Sequence, residues 1–383
     1  MSVRNKNARN AKRAYNAEVI IITVCVLLLM AAGSVFVYSA SSYTAEKTYG
    51  DKFYFLKKQI IGYAVGLIAF AGSSFIGQNV LKKAALPACI VSAILLILVL
   101  TPLGIEVYGA KRWVGVGGVT VQPSDFAKLS LVLFASTYFS KDMNRATTIK
   151  SSLPVMAMGG VFCLLVIAEP NMSITVCLAA ILIIMLFAAG FSIKKLLILA
   201  VPLILAVPVL IIAEPYRLKR LSAFLDPWSS PKAEGYQLIQ SLYALGSGGW
   251  FGTGLFNSRQ KYRFLPFAES DFILSVIGEE TGFFGICVLL AICLVLAYAV
   301  IKAGRKSGNF FAYLTCVGVA AAFVVQVAVN ALVVTGSIPP TGVPFPLVSS
   351  GNTQILIFSA SFGIVCSFCR KKETVSGEIS PLN

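Results

Sequence analysis

Apolar residues along this chain gather into ten runs: 19–38, 59–77, 84–102, 125–140, 153–168, 171–190, 195–213, 272–301, 310–334 and 343–368. About 20 apolar residues of helix cross a bilayer core. The pattern therefore predicts an all-α polytopic membrane protein with about ten transmembrane helices, read as one domain over 1–383. The fourth and fifth runs are short and are expected to tilt little or to sit partly among headgroups. The first run is too long for the apolar core of a signal peptide and lacks an obvious cleavage site, so it is expected to remain as a span.

The polar residues between the runs set the orientation. Ten spans put both termini on one side. That side holds the 1–18 tail with Arg4, Lys6, Arg9, Lys12 and Arg13, the pairs Lys82–Lys83 and Lys194–Lys195, the groups Lys141, Arg145, Lys150 and Lys302, Arg305, Lys306, and the 369–383 tail with Arg370, Lys371 and Lys372. More than half of the 32 Lys and Arg residues lie there, so that side is expected to be cytoplasmic. Lys47, Lys52, Lys57 and Lys58 in the first outer loop run against the rule. The largest outer loop, 214–271, lies between the seventh and eighth spans. A loop of this length is usually functional, and its tyrosines and tryptophans point to interfacial helices, for example over 234–245.

Composition narrows the chemistry. Hydrophobic residues make up 57%, charged residues 13%, and the net charge is +16. With mean hydropathy at +0.82, the chain cannot wet the surface of a soluble globule. The charge is spread in small groups along the loops, which argues for topology and against nucleic acid as a partner. The chain has no histidine. That excludes a Ser-His-Asp triad and His-ligated zinc or haem; acid–base work must come from Asp, Glu, Lys, Tyr or Cys. Most of the nine cysteines lie inside apolar runs, and Cys366 and Cys369 form a lone CxxC beside a basic tail, a pattern read as packing.

Charges at or inside spans are the first candidates for a site. Asp125 and Lys128 share one face of the fourth helix, either as a local ion pair or as a polar wall of a substrate cavity. Lys111 and Arg112 stand before Trp113 and a glycine-rich stretch, Gly115, Gly117 and Gly118; they suit headgroups or a phosphate. A second cluster, Gly246 to Gly254, lacks the GK[ST] of a P-loop, which makes nucleotide binding a poor reading. Asp271 stands where the long loop becomes a helix, near Arg259, Lys261 and Arg263. It reads as a helix cap or as a general base at the membrane surface. Glu279 and Glu280 read as partners for polar groups between helices.

Taken in order, Tyr38-Ser39-Ala40-Ser41-Ser42, Gly109-Ala110-Lys111-Arg112-Trp113, Gln122-Pro123-Ser124-Asp125 with Lys128, and the strings GSGGWFGTGLFNSRQK, FLP, SDFI and VIGEETGFFG over 246–285 resemble the SEDS (shape, elongation, division and sporulation) family of RodA/FtsW-type peptidoglycan polymerases. NSRQK looks more like the FtsW and sporulation branch. The chain departs at Asp125, where the family usually has Glu, at Glu169-Pro170-Asn171, where a Pro-Asp pair is usual, at Phe267, and at Ser349-Ser350-Gly351-Asn352-Thr353.

The resemblance implies a glycosyltransferase that polymerises lipid II outside the membrane, with undecaprenyl pyrophosphate leaving and inversion at the anomeric carbon. It implies Asp271 as catalytic base, and Lys111, Arg112, Asp125, Lys128, Arg259 and Lys261 as substrate-binding residues. Neighbouring Arg and Lys are expected to lower the pKa of Asp271. No cofactor is certain; a divalent cation, Mg or Mn, is the candidate. The implied partners are a class B penicillin-binding protein transpeptidase and other division or elongation machinery, in the bacterial cytoplasmic membrane. Two rivals stay open: a lipid II flippase, and an inactive scaffold that recruits a transpeptidase.

Overall fold

The computed structural model describes residues 3–107, 110–116, 119–212, 215–262 and 264–369. Each apolar run contains a helix. In chain order they are α1 (Val3–Tyr49), α2 (Tyr54–Ser73), α3 (Gln78–Leu100), α4 (Pro123–Lys141), α5 (Ile149–Ala168), α6 (Met172–Ala189) and α7 (Ile193–Ile212), then α10 (Ile273–Lys306), α11 (Phe310–Val334) and α12 (Asn352–Phe368). Seven helices among the described residues are long and apolar enough to cross a membrane. They turn large apolar side chains outward, such as Ile68, Leu164 and Leu294, as a lipid solvent requires. Their ends follow local chemistry. Thr148 and Asn171 cap α5 and α6 through their side chains, α4 opens on Pro123, and α6 stops at Gly190 with φ of 107°.

Two expectations need correction. The tenth predicted span, 343–368, is helical only from Asn352. Pro344, Pro346 and Gly351 keep the preceding stretch out of a helix, and it runs as a buried loop with Val343, Phe345, Leu347 and Val348 at most 2% exposed. Nor is the chain all-α. Between α3 and α4 lies a three-stranded antiparallel sheet of β1 (Gly104–Val107), β2 (Ala110–Val116) and β3 (Val119–Val121), in that order. Val, Ile, Thr and Trp fit a pleated surface. Trp113 lies opposite Ile105, and Val114 opposite Val121. Gly109, Gly117 and Gly118 fall outside the described residues, as do Arg263 and Arg370, Lys371 and Lys372.

The long loop between α7 and α10 holds two helices, α8 (Pro215–Leu225) and α9 (Tyr236–Gly248); the second covers the helix expected over 234–245. The glycine cluster after it is a packing device. α10 breaks at Gly282, where φ is 69°. The backbone of 249–254 docks against the break: Thr253 and Gly254 donate to Glu279 and Glu280 O, and Phe283 and Phe284 donate to Gly249 and Trp250 O. A Cβ on Gly252 would sit 2.1 Å from Glu280 O, and one on Gly282 2.4 Å from Gly252 N, so backbone-to-backbone contact leaves room only for glycine.

Helix α2 packs on α12, α10 on α11 and α1, and α3 on α4. Glu279 and Glu280 are buried in this frame. Glu279 accepts from Ser258 Oγ, Arg259 N (2.9 Å) and Gln260 N (3.4 Å), and Glu280 from Ser39 Oγ (2.5 Å) and Ser258 N (3.3 Å). Glu280 joins α10 to α1 through Ser39, as expected of a partner between helices, whereas Glu279 holds the loop 258–260. Lys57 pairs with Asp51 at 2.7 Å, and Lys52 and Lys58 sit over the rings of Phe53 and Tyr54. Cys366 and Cys369 are buried at the end of α12.

Candidate active site

Asp271 is placed by its backbone. Glu269, Ser270 and Asp271 precede α10, and each carbonyl is held: Glu269 O by Ser350 N (2.9 Å), Ser270 O by Ser349 Oγ (2.5 Å) and Asp271 O by Asn330 Nδ2 (2.8 Å). The N-cap of α10 is Phe272, and no side chain caps it. Asp271 is therefore not a cap. Its carboxyl takes a hydrogen bond from Ser270 Oγ at 3.0 Å.

The loop 340–351 supplies the opposite wall. Non-helical backbone inside a membrane protein must find partners within the protein, and here side chains of four helices provide them. Ser173 of α6 donates to Thr341 O, Asn330 of α11 to Val343 O, and Gln326 of α11 and Gln354 of α12 to Pro344 O; Tyr63 and Gln59 of α2 donate to Leu347 O and Ser349 O. Gly342 sits in this loop with φ of 71°, and a Cβ there would lie 3.2 Å from Asp271 Oδ2 and 3.8 Å from Arg112 Nη1. The carboxyl and the guanidinium thus face each other over a bare backbone.

Arg112 reaches this point from β2 and donates through Nη2 to Pro170 O at 2.6 Å. Arg220 of α8 donates to Pro340 O at 3.1 Å. Burial pushes Asp271 above the ordinary carboxylate range; the Ser270 hydrogen bond and the charges of Arg112 and Arg220 work against it. The expected lowering is therefore corrected in sign, and the cations acting on Asp271 are Arg112 and Arg220. Arg259 is exposed and anchored through its backbone to Glu279. Lys261 donates to Phe256 O and lies over the Tyr262 ring. Lys111 is partly buried on β2, opposite Glu106.

Two cavities flank the site. One, of about 330 Å³, has apolar walls that include Met172, Val176 and Val329, with Arg112, Arg217 and Arg220 at its edge. The other, of about 300 Å³, is polar and is lined by Lys58, Gln59, Trp113, Gln122, Asp125 and Asn352, among others. Arg112 and Trp113 are consecutive strand residues, so they point to opposite faces, one to each cavity. Asp125 and Lys128 form a buried ion pair at 2.8 Å. Lys128 also donates to Gln326 Oε1 at 2.6 Å, which ties the pair to the loop through Gln326 and Pro344 O. Asp125 lines the polar cavity; Lys128 lies behind it. The pair is thus both a local ion pair and part of a cavity wall.

The carboxylate expected after Pro170 is displaced, not lost: Asn171 caps α6, and Glu169 is wholly buried. Among the described residues no three His, Cys, Asp or Glu side chains gather where they would hold a metal, and the charges facing Asp271 are guanidiniums. A resident Mg or Mn does not fit this donor set. Sequence reasoning passed over Arg220, Gly342, Asn330 and Gln326. The last two stand four apart on one face of an apolar helix, and prolines crowd around Gly342 in an apolar run; both were readable signals.

A family profile described as cell cycle protein, covering FtsW, RodA and SpoVE, matches residues 19–374. The probable peptidoglycan glycosyltransferase FtsW of Trichlorobacter lovleyi is 38% identical over 351 residues, 90% of this chain and 91% of that protein. Stage V sporulation protein E of Bacillus subtilis is 32% identical over 354 residues, 92% and 96% of the two chains. Among solved structures, a chain described under structural coordination of polymerization and crosslinking by a peptidoglycan synthase complex superposes with TM-score 0.76 at 25% identity, over 91% of this chain and 96% of that one. Rod shape determining protein RodA of Thermus thermophilus superposes with TM-score 0.67 at 23% identity, over 91% and 95%.

Proposed function

The chain belongs to the cell cycle protein family of FtsW, RodA and SpoVE, and from that premise we propose that it is a peptidoglycan glycosyltransferase polymerising lipid II on the outer face of the cytoplasmic membrane. It is a multi-pass membrane protein, and relatives that match it over nearly their whole length are named as such transferases. The observation that carries the reading is Asp271 facing Arg112 across Gly342. Ten helices, α1–α7 and α10–α12, cross the membrane in this reading, with both termini and the basic loops cytoplasmic.

Asp271 accepts the proton of the acceptor sugar 4-hydroxyl as its oxygen attacks the donor anomeric carbon. The new C–O bond forms, the bond to undecaprenyl pyrophosphate breaks, and the carbon inverts. Burial makes Asp271 a stronger base than an exposed carboxylate, which suits this role. Negative charge grows on the departing pyrophosphate, and Arg112 and Arg220 are fixed where they oppose it. The arginine-edged cavity offers apolar walls to the start of the lipid tail, and Lys111 on the same sheet adds positive charge. The polar cavity, with Asp125 held by Lys128, offers hydrogen bonds and the Trp113 face to a sugar. Arg259 and Lys261 are assigned to more distant lipid phosphates at the membrane surface.

The partner in this reading is a class B penicillin-binding protein, which crosslinks the strands; the solved neighbour is described under polymerization and crosslinking by a peptidoglycan synthase complex. The process served is division, elongation or sporulation. Incubating the purified protein with lipid II tests the proposal. Glycan polymer is the expected product. Lipid II moving between leaflets without polymer would overturn the proposal in favour of a flippase, and neither outcome would leave a scaffold.

A further inference from the structure

Glu169 closes α5 with no exposed surface, and neither of its carboxyl oxygens has a hydrogen-bond partner among the described residues. A buried polar group left unpaired is costly, so its presence calls for a reason. The next residue, Pro170, accepts the Nη2 arm of Arg112 at 2.6 Å. The Nη1 arm of the same guanidinium faces Asp271 Oδ2 across Gly342. Arg112 is therefore held beside the Glu169–Pro170 turn on one side and Asp271 on the other.

The helices packed against α5 are α3, α4 and α6, and these and the segments near Arg112 carry titratable groups. Asp125 and Lys128 on α4 are joined in their own ion pair; Arg217 and Arg220 lie on α8, Glu269 and Asp271 precede α10, and Cys89, Cys163 and Cys177 are thiols on α3, α5 and α6. The charge that acts on Glu169 is that of Arg112, and the same charge acts on Asp271.

We propose that Glu169 is a positioning residue for the polymerisation site: a buried second carboxyl that divides the Arg112 guanidinium with Asp271. This rests on the reading of Asp271 given under Proposed function. Burial pushes Glu169 up to about 8, with Arg112 pulling the other way. Below that pH Glu169 is neutral, and the charge of Arg112 is directed at Asp271 and the departing pyrophosphate. Above it, ionised Glu169 draws the guanidinium toward itself. Polymerisation then declines on the alkaline side through a group other than the base.

Infrared titration of the purified full chain tests this without reference to activity. The protonated-carboxyl band that is missing in Glu169→Gln should titrate near pH 8 in the wild type. Its midpoint should fall in Asp271→Asn, where Arg112 serves one carboxyl, and rise in Arg112→Gln. A midpoint unmoved by Asp271→Asn, or a Glu169 already ionised at about pH 6, overturns the proposal. In a lipid II assay the wild-type rate should drop by about tenfold between pH 7 and pH 9 if the neutral form is required. Glu169→Gln should show a pH 9 to pH 7 ratio near one, and Glu169→Asp should restore the decline. The same decline in Glu169→Gln as in the wild type also overturns the proposal. Absence of polymer from the wild type at every pH would instead count against the reading of Asp271, and the infrared midpoints would still decide the role of Glu169.

Discussion

Asp271 and Arg112 lie on either side of Gly342, their Oδ2 and Nη1 atoms 3.2 and 3.8 Å from the point where a side chain would begin. The two residues are 159 positions apart in sequence. The glycine keeps the space between carboxylate and guanidinium open while the loop that carries it is fixed by four helices.

If Asp271 is the base, Asp271→Asn keeps the shape and removes the proton acceptor. Polymerisation of lipid II should fall by at least about 10²-fold, while the variant inserts and purifies as the wild type does. Asp271→Glu should also be impaired, since moving the carboxylate by roughly 1 Å can cost about 10²-fold. Wild-type polymerisation by Asp271→Asn would pass the role to Glu269 or Asp226.

The acid side of the pH profile should report Asp271. The base works ionised, and its pKa is raised by burial, so activity should be lost as pH falls through a value above the ordinary carboxylate range. Arg112→Gln removes a charge that favours the ionised form and should move that limb to higher pH. An unmoved limb would show that a different group limits the rate in acid.

Gly342→Ala tests the open space. A left-handed backbone costs a residue with a side chain about 1–2 kcal/mol, and the new methyl would press on the carboxylate. Gly308, with φ of 64° and nothing within 4 Å of its Cβ position, offers the comparison: Gly308→Ala carries the strain without the contact. Gly342→Ala should lose about tenfold or more in rate, in keeping with the cost of displacing a reacting group, and Gly308→Ala should lose stability only. Equal rates in the two variants would refute a role for the gap.

Lys128→Met leaves Asp125 buried without its cation, and breaking a buried pair in this way costs about 3–5 kcal/mol. Thermal unfolding in detergent should show the loss, and adding Asp125→Asn should recover most of it. Destabilisation unchanged in the double variant would show that Lys128 matters through Gln326 instead.

Orientation is open to labelling. Single cysteines at 228–235 of a cysteine-free variant should react with an impermeant thiol reagent on whole cells, and cysteines at 142–148 should not. The reverse pattern would turn the chain over and place Asp271 on the wrong side for lipid II polymerisation.

The helices were readable because a bilayer demands apolar runs of set length, and α1 to α7 announce themselves that way. The start of α12 was not, because hydropathy counts side chains and ignores backbone: Val343 to Val348 is as apolar as a span, yet Pro344 and Pro346 forbid the helix. The sheet hides for another reason: β1 and β3 are short, and β2, Ala110–Val116, does not alternate apolar with polar residues. At the site, Asp271, Arg112 and Asp125 stood out as charges near membrane ends. Arg220 was one of many cations in a long loop, and only the fold separates it from Arg259 and Lys261. Gly342 carries no chemistry of its own, so nothing short of the packing reveals it.

The loop opposite Asp271 hangs from Ser173, from Asn330 and Gln326, from Gln354, and from Gln59 and Tyr63. Such a suspension has no slack of its own: tilting α2, α6, α11 or α12 moves the carbonyl each one holds, and with it the wall facing the carboxylate. A protein gripping the exposed side of α2 or α6 therefore has a lever on the rate without coming near the reacting atoms. The tempo of strand growth can be set from the lipid-facing surface.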